Sequence, residues 1–184
     1  MTSYESQLRQ VIRSDNYIMT VLKVVECLNL NDGWVAAGLI RNRVWDYLHN
    51  ETTIINDIDV IYCDSHDISL ETEKDLEEKL ETLMPTQLWS VKNQARMHLK
   101  NDFNSFKSSY DGVAHFPETP TAVAVRLHQN DLMIMAPYGL EDLFEKIVKP
   151  TPHFLNNHEL QSVYSERMKV KKWKETWNDL LINI

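Results

Sequence analysis

The chain has 184 residues, 43% hydrophobic and 25% charged, which suits a single globular domain long enough to bury a core. With 19 basic against 27 acidic residues the net charge is −8, which opposes a broad electrostatic footprint for nucleic acid. No apolar run approaches the roughly 20 residues of a membrane helix, and the polar opening stretch lacks the apolar centre of a signal peptide.

Residues 4–16 place Leu8, Val11 and Ile12 at helical spacing, and residues 17–28 do the same with Ile18, Val21, Leu22, Val25 and Leu28. A turn-rich break over 29–33 leads to a short apolar strand at 34–37. Residues 40–49 read as a helix with Ile40, Val44, Tyr47 and Leu48 inward, and 57–62 as a second strand. Cys27 and Cys63 make no metal-ligand spacing and each sits in an apolar pattern, so they read as reduced core thiols of a cytoplasmic protein. Ser69 is a candidate N-cap for a helix over 70–84, with Leu76, Leu80 and Leu83 on one face and the acids from Glu71 to Glu81 solvated. Pro85 ends it. A third strand over 87–93 precedes a short helix or turn at 94–100 and a long loop at 101–120. Residues 121–127 and 132–136 alternate and form a hairpin around residues 128–131. A helix over 140–148 and a helical tail over 155–181, burying Leu160, Tyr164, Met168, Trp173 and Trp177, complete the chain. The pattern is an α/β (α+β) fold: one domain over 1–184, a small mixed sheet flanked by helices, with helical segments at 1–30 and 153–184.

The chemistry concentrates in two stretches. Asp57 and Asp59 flank Ile58 in a strand, so they point the same way with Cα atoms about 6–7 Å apart. Both carboxylates can then reach one hard cation such as Mg²⁺ or Mn²⁺. Gly38 sits between a strand and a helix, where a backbone can approach a phosphate and a helix N-terminus offers free N–H groups. Arg41 and Arg43 follow with planar donor forks. Lys92, Asn93, Gln94 and Arg96 give the third strand a polar end. Trp45, Trp89 and Tyr138 could stack a base, although aromatics in apolar patterns are more often core. Lys169, Lys171, Lys172 and Lys174 do not share one helical face, so a solvated surface is the default for them.

Four stretches together resemble a bacterial nucleotidyltransferase family within the superfamily that has a polymerase-β-like core. They are Ala37-Gly38-Leu39-Ile40-Arg41-Asn42 with Trp45, Asn56-Asp57-Ile58-Asp59, Trp89-Ser90-Val91-Lys92-Asn93-Gln94-Ala95-Arg96, and Ala136-Pro137-Tyr138-Gly139-Leu140. The resemblance implies transfer of a nucleoside monophosphate from an NTP to an acceptor, and the net charge of −8 makes a small molecule or a protein a better acceptor than a polynucleotide. It implies Asp57 and Asp59 as catalytic metal ligands for Mg²⁺ or Mn²⁺. It implies Gly38, Arg41, Asn42, Lys92, Asn93 and Arg96 as nucleotide-binding residues. Two departures stand out. Leu39 follows Gly38 where the superfamily has Gly or Ser, and the third strand holds Asn93 rather than a third acid. A general base would then come from Asp111, Glu118 or solvent, with His98 and His115 as further acid–base groups. The same departures motivate the alternative of a non-catalytic nucleotide-binding or protein-interaction module on this fold. A glycosyltransferase using Asp-x-Asp is disfavoured by the short chain and the early Gly38 turn.

Overall fold

Ser3 and Asp15 set the first two helices. In the computed structural model, which describes residues 2–99 and 104–183 (for His98 the backbone alone), both act as caps. Ser3 Oγ accepts from the Ser6 N–H at the start of α1 (Tyr4–Ser14). Asp15 ends α1 and accepts from the Tyr17 and Ile18 N–H groups at the start of α2 (Asn16–Cys27). The chain continues as β1 (Trp34–Ala36), α3 (Gly38–His49), β2 (Ile58–Tyr62), α4 (Leu70–Leu83) and β3 (Trp89–Asn93). A 3₁₀ turn (Gln94–Leu99), α5 (Ser109–Ala114), β4 (Ala124–His128) and β5 (Asp131–Met135) follow. The last part holds α6 (Glu141–Phe144), β6 (Ile147–Val148), α7 (Pro152–Leu155), α8 (His158–Lys171), α9 (Trp173–Thr176) and β7 (Leu181–Ile182). None of the described helices is long and apolar enough to cross a membrane.

Five strands form a mixed sheet in the order β3-β2-β1-β4-β5, and β6 and β7 pair separately. Only β2 and β3 run parallel within the five; the other neighbours are antiparallel. Strand alternation splits the sheet into two faces. Val35, Ile58, Val60, Val91 and Val125 pack into the main core with the apolar stripes of α1, α2 and α3. Trp34, Ala36, Ile61 and Ala124 face a smaller cluster closed by Val113 of α5, with Phe116 and Tyr138 against it. Asp59 pairs with Ala36 on one side and Ser90 on the other, so it lies on this second face.

The parallel strand β3 is a sheet edge, and α4 covers it. Glu77 and Glu73 accept from the Val91 and Asn93 N–H groups at 2.8 and 2.9 Å. These two acids of the run expected to be solvated therefore satisfy an open strand edge, and Glu73 is buried.

Other expectations need correction. Tyr47 and Leu83 lie outside their buried stripes and are exposed, and Cys27 is exposed while Cys63 is buried. The long loop contains α5, started by Ser108 Oγ accepting from the Asp111 N–H; residues 100–103 of that loop lie outside the described residues. The expected helix over 140–148 stops after Phe144, because Lys146 takes a positive φ and the chain turns into β6. The tail is not one helix. Asn157 caps α8, and Lys172 in the left-handed region separates it from α9. Leu181 and Ile182 pair with Ile147 and Val148 instead of continuing a helix.

The backbone at the β1–α3 junction is strained. Ala37, between β1 and α3, has φ 57° and ψ −123°, a conformation that favours glycine. The Ala37 N–H donates to the Val123 carbonyl and its own carbonyl accepts from Arg41 N–H, so both neighbours hold the turn in place. Replacing Ala37→Gly removes the Cβ strain at a smaller cost in chain entropy. We expect the variant to unfold with a stability higher by about 1 kcal/mol, read from urea midpoints at unchanged slope.

Candidate functional site

A cavity of about 510 Å³ opens where the β1–α3 turn meets the start of β2. Ala37, Gly38, Leu39, Arg41 and Asn42 form one wall, and Thr53 to Asp57 with Asp59 form another. Arg167 and Lys171 of α8, with Trp173, Thr176 and Trp177, close it. Gly38, Arg41, Asn42, Asp57 and Asp59, five of the residues singled out in the sequence, thus share one cavity.

The turn offers backbone donors. Ala37 caps α3 without a side-chain hydrogen bond, so the first N–H groups of the helix carry no side-chain partner there. A Cβ built on Gly38 would meet nothing closer than Arg41 Nη2 at 3.8 Å. Protein packing therefore does not require glycine here; the missing side chain leaves space on the cavity side.

Arg41 is buried beneath this turn. Its Nη1 donates to Thr121 Oγ1 at 2.7 Å, and its Nε and Nη2 donate to Asn42 Oδ1 at 3.1 and 2.7 Å. The guanidinium carbon lies 4.2 Å from the Trp173 ring centroid and 5.2 Å from that of Trp45. Burial lowers its pKa to about 10, with Glu118, Asp59 and Asp57 acting against the fall, so it stays charged at neutral pH. Because Asn42 Oδ1 is turned to Arg41, its amide N–H₂ remains as a donor at the cavity.

Asp59 is half-buried. Burial and, second, the charge of Asp57 push its pKa up to about 6, against the opposing influence of Ser90, Arg41 and Lys92. Two carboxylates crowded at one end of a strand are what a divalent cation relieves. Mg²⁺ accepts a site of one or two carboxylates completed by water and phosphate. The pair therefore fits such a cation. Among the described residues no third His, Cys, Asp or Glu completes a metal-binding group with them.

The remaining acid of the lining is committed elsewhere. Asp46 is buried and accepts from Thr53 N and Oγ1 at 3.0 and 2.9 Å and from Trp177 Nε1 at 3.1 Å. It ties the loop carrying Ile54 to Asp57 onto α3 and onto the tail. Arg43 lies near it but pairs more closely with Asp15, at 2.9 Å.

Lys92, Asn93 and Arg96, expected as pocket wall, do not line the cavity. Asn93 is fully buried and uses all four of its amide positions. Its Oδ1 accepts from Asp64 N and Ala95 N, and its Nδ2 donates to the Asp64 and Asp67 carbonyls. It has no capacity left for a metal or nucleotide. Arg96 donates to the Ile68 carbonyl at 3.1 Å and pairs with buried Glu73 at 3.5 Å. Lys92 pairs with Glu77 at 3.0 Å and reaches Asp59 only through its charge. The polar end of β3 thus anchors α4 and its leading loop. The other candidates are also placed elsewhere: Trp45 is fully buried core, Asp111 holds the Lys107 N–H, and Glu118 is buried against Arg167. The side chain of His98 lies outside the described residues. Arg167 is a charged cavity residue that sequence patterning passed over, and Lys171, expected by default on a solvated surface, lines the cavity with it. Their i, i+4 spacing was the available signal, hidden among four lysines that share no face.

A family model described as nucleotidyltransferase matches residues 23–182. Among curated proteins, none matches the chain. Among solved structures, a protein whose NMR structure is described as revealing a CCA-adding enzyme head domain is 37% identical with a TM-score of 0.86. The match covers 97% of this chain and 95% of that one. A CCA-adding enzyme in complex with ATP is 14% identical, with a TM-score of 0.60, over 100% of this chain and 43% of that one. The Thermotoga maritima CCA-adding enzyme complexed with tRNA is 15% identical, with a TM-score of 0.58, again over 100% and 43%. The last two show the shared fold, and this chain spans less than half the length of either.

The raised pKa of Asp59 has a defined sign. A carboxyl that holds its proton more tightly when folded adds stability at pH below the unfolded value of 3.8. That contribution is lost as pH rises through about 6. Asp59→Asn should therefore stabilise the metal-free protein by about 1–3 kcal/mol at pH 7.5 and much less at pH 4. Denaturant melts at the two pH values check this.

Proposed function

Because the chain belongs to the nucleotidyltransferase family, we propose that this cavity binds an NTP with a divalent cation and transfers its nucleoside monophosphate to an acceptor oxygen. One observation carries the reading: the Gly38 turn, the buried Arg41 and the Asp57–Asp59 pair converge on one cavity although they come from separate stretches of sequence.

In this reading the phosphates approach the N-terminus of α3 through the space left at Gly38. Arg41 supplies a fixed positive charge, and its stacking and hydrogen bonds keep it from moving as charge shifts on the phosphates. The Asn42 amide group adds a donor beside it. Asp57 and Asp59 would hold Mg²⁺ or Mn²⁺, which supplies charge neutralisation of the phosphate oxygens during phosphoryl transfer. An acceptor hydroxyl or phosphate oxygen forms the new bond to the α-phosphorus as the bond to pyrophosphate breaks. A hydroxyl proton passes to water in the open cavity, since Asp46 is occupied by Thr53 and Trp177. Asp46 keeps the 50–57 loop, and with it Asp57, against α3.

The net charge of −8 favours a small molecule or protein as acceptor over a polynucleotide. The likeness to a tRNA-bound CCA-adding enzyme makes tRNA the comparison acceptor in any assay.

The test is a thermal-shift titration with each of four NTPs, with and without Mg²⁺, followed by pyrophosphate release with tRNA and with small hydroxyl acceptors. Wild type should show an Mg²⁺-dependent rise in Tm of several degrees that Asp57→Ala/Asp59→Ala loses. Gly38→Val should keep its own Tm and lose most of the NTP shift, since its side chain fills the space meant for phosphate. An unchanged NTP response in the folded double variant sinks the reading. NTP binding with no pyrophosphate release from any acceptor favours the non-catalytic module.

A further inference from the structure

Glu118 is the one described carboxylate that is fully buried, and the nucleotide reading leaves it without a role. It lies between α5 and β4, bridging to Pro150. Its Oε1 accepts from Arg167 Nε, and its Oε2 is buried with no hydrogen-bond partner. A half-satisfied buried carboxylate is costly and calls for a reason. What it holds is a cavity residue. Arg167 uses only Nε in this contact, so its terminal nitrogens, Nη1 and Nη2, have no partner among the described residues. Lys171 stands one helical turn further along α8 and also lines the cavity.

We propose that Arg167 and Lys171 form a subsite for the pyrophosphate part of the nucleotide, with Glu118 as the buried counter-charge that holds the cationic cluster together when no anion is bound. The inference rests on the nucleotide reading and adds where the leaving phosphates go. Arg41, Arg167 and Lys171 gather three positive charges at one side of the cavity. Arg167 and Arg41 depress the Lys171 pKa after burial does, and Arg167 acts the same way on Arg41. Such a cluster is self-repelling, and among the described residues Glu118 is the single carboxylate in direct contact with it. Charge interactions link Arg41 to Glu118 and Arg167 and also to Asp59 and Asp57. Lys171 likewise feels the charge of Asp57, so the acid pair, where the α-phosphorus would react, and the α8 cations, where the outgoing phosphates would lie, face one cavity. Planar guanidinium nitrogens and a lysine ammonium suit a diphosphate.

Two substitutions have opposite expected signs. Arg167→Ala removes the free donor fork and should weaken inorganic pyrophosphate and NTP binding about tenfold. Glu118→Gln keeps an acceptor for Arg167 Nε and removes the competing negative charge, so it should tighten pyrophosphate several-fold. Its Tm without ligand should fall, and pyrophosphate should restore it. NMP binding should change less than twofold in either variant. The measurement is calorimetric titration of pyrophosphate, NTP and NMP with Mg²⁺ into wild type and both variants. Wild type that does not bind pyrophosphate overturns the proposal. So does Arg167→Ala weakening NMP as much as NTP, or leaving both unchanged, and this arm stands even if Glu118→Gln fails to fold. Normal NTP binding and turnover in Arg167→Ala would reject the subsite and leave the nucleotidyl-transfer reading intact. Pyrophosphate binding governed by Arg167 without any NTP binding would do the reverse.

Discussion

The pairing of Ala36 with Asp59 across β1 and β2 is the constraint from which the site follows. Because these strands are antiparallel, the end of β1 meets the beginning of β2. The first runs straight into the α3 turn and the second carries the acids. Residues about twenty apart in sequence thus become neighbours through three pairs of β1 with β2. The same register sends Ile58 and Val60 into the main core. A slip by one residue would exchange the faces, burying Asp59 and exposing the valine and isoleucine. The hydrophobic pattern that makes the strand fold is therefore what aims the carboxylates.

Around that register the chain fixes its charges by enclosing them. Arg41 is held by a threonine, an asparagine and two indoles instead of a carboxylate. This keeps its charge uncancelled in a place of reduced water. Asp46 does the reverse, spending its carboxylate on Thr53 and Trp177 so that the loop, the helix and the tail share one anchor. The strained Ala37 belongs to the same economy of position. It turns the backbone sharply enough to set the α3 N-terminus against the acids, and the hydrogen bonds to Val123 and Arg41 hold it there.

What the sequence disclosed was what local pattern determines. The five strands, α1 to α4 and the Ser69 cap all rest on alternation, helical spacing or a capping residue, and each is present. Gly38, Arg41, Asn42, Asp57 and Asp59 lie in one short region, so their convergence needed only one strand pairing. The departures arise where distant parts meet. Asn93 looked like a site residue because it is polar at a strand end, but its amide makes three hydrogen bonds to the loop before α4 and a fourth to Ala95. Leu39 looked like the break in the phosphate turn, whereas the residue in the glycine-favouring conformation is Ala37. Glu73 and Glu77 looked solvated because a strand edge cannot be seen from helix periodicity. Arg167 and Lys171 come from a helix more than a hundred residues from Asp59, and their i, i+4 spacing alone does not say which face docks.

The indoles around Arg41 have a practical side. Trp45 lies 5.5 and 5.0 Å from Trp173 and Trp177, centroid to centroid, and the latter two line the cavity. Two of the five tryptophans of the chain thus line one pocket, with Trp45 packed behind them. Indole emission responds to nearby charge and to water. A polyanion entering beside Arg41 would change both at once. If the cavity takes a nucleotide, these indoles would act as an internal fluorescent indicator of occupancy, placed where an added dye would obstruct the ligand.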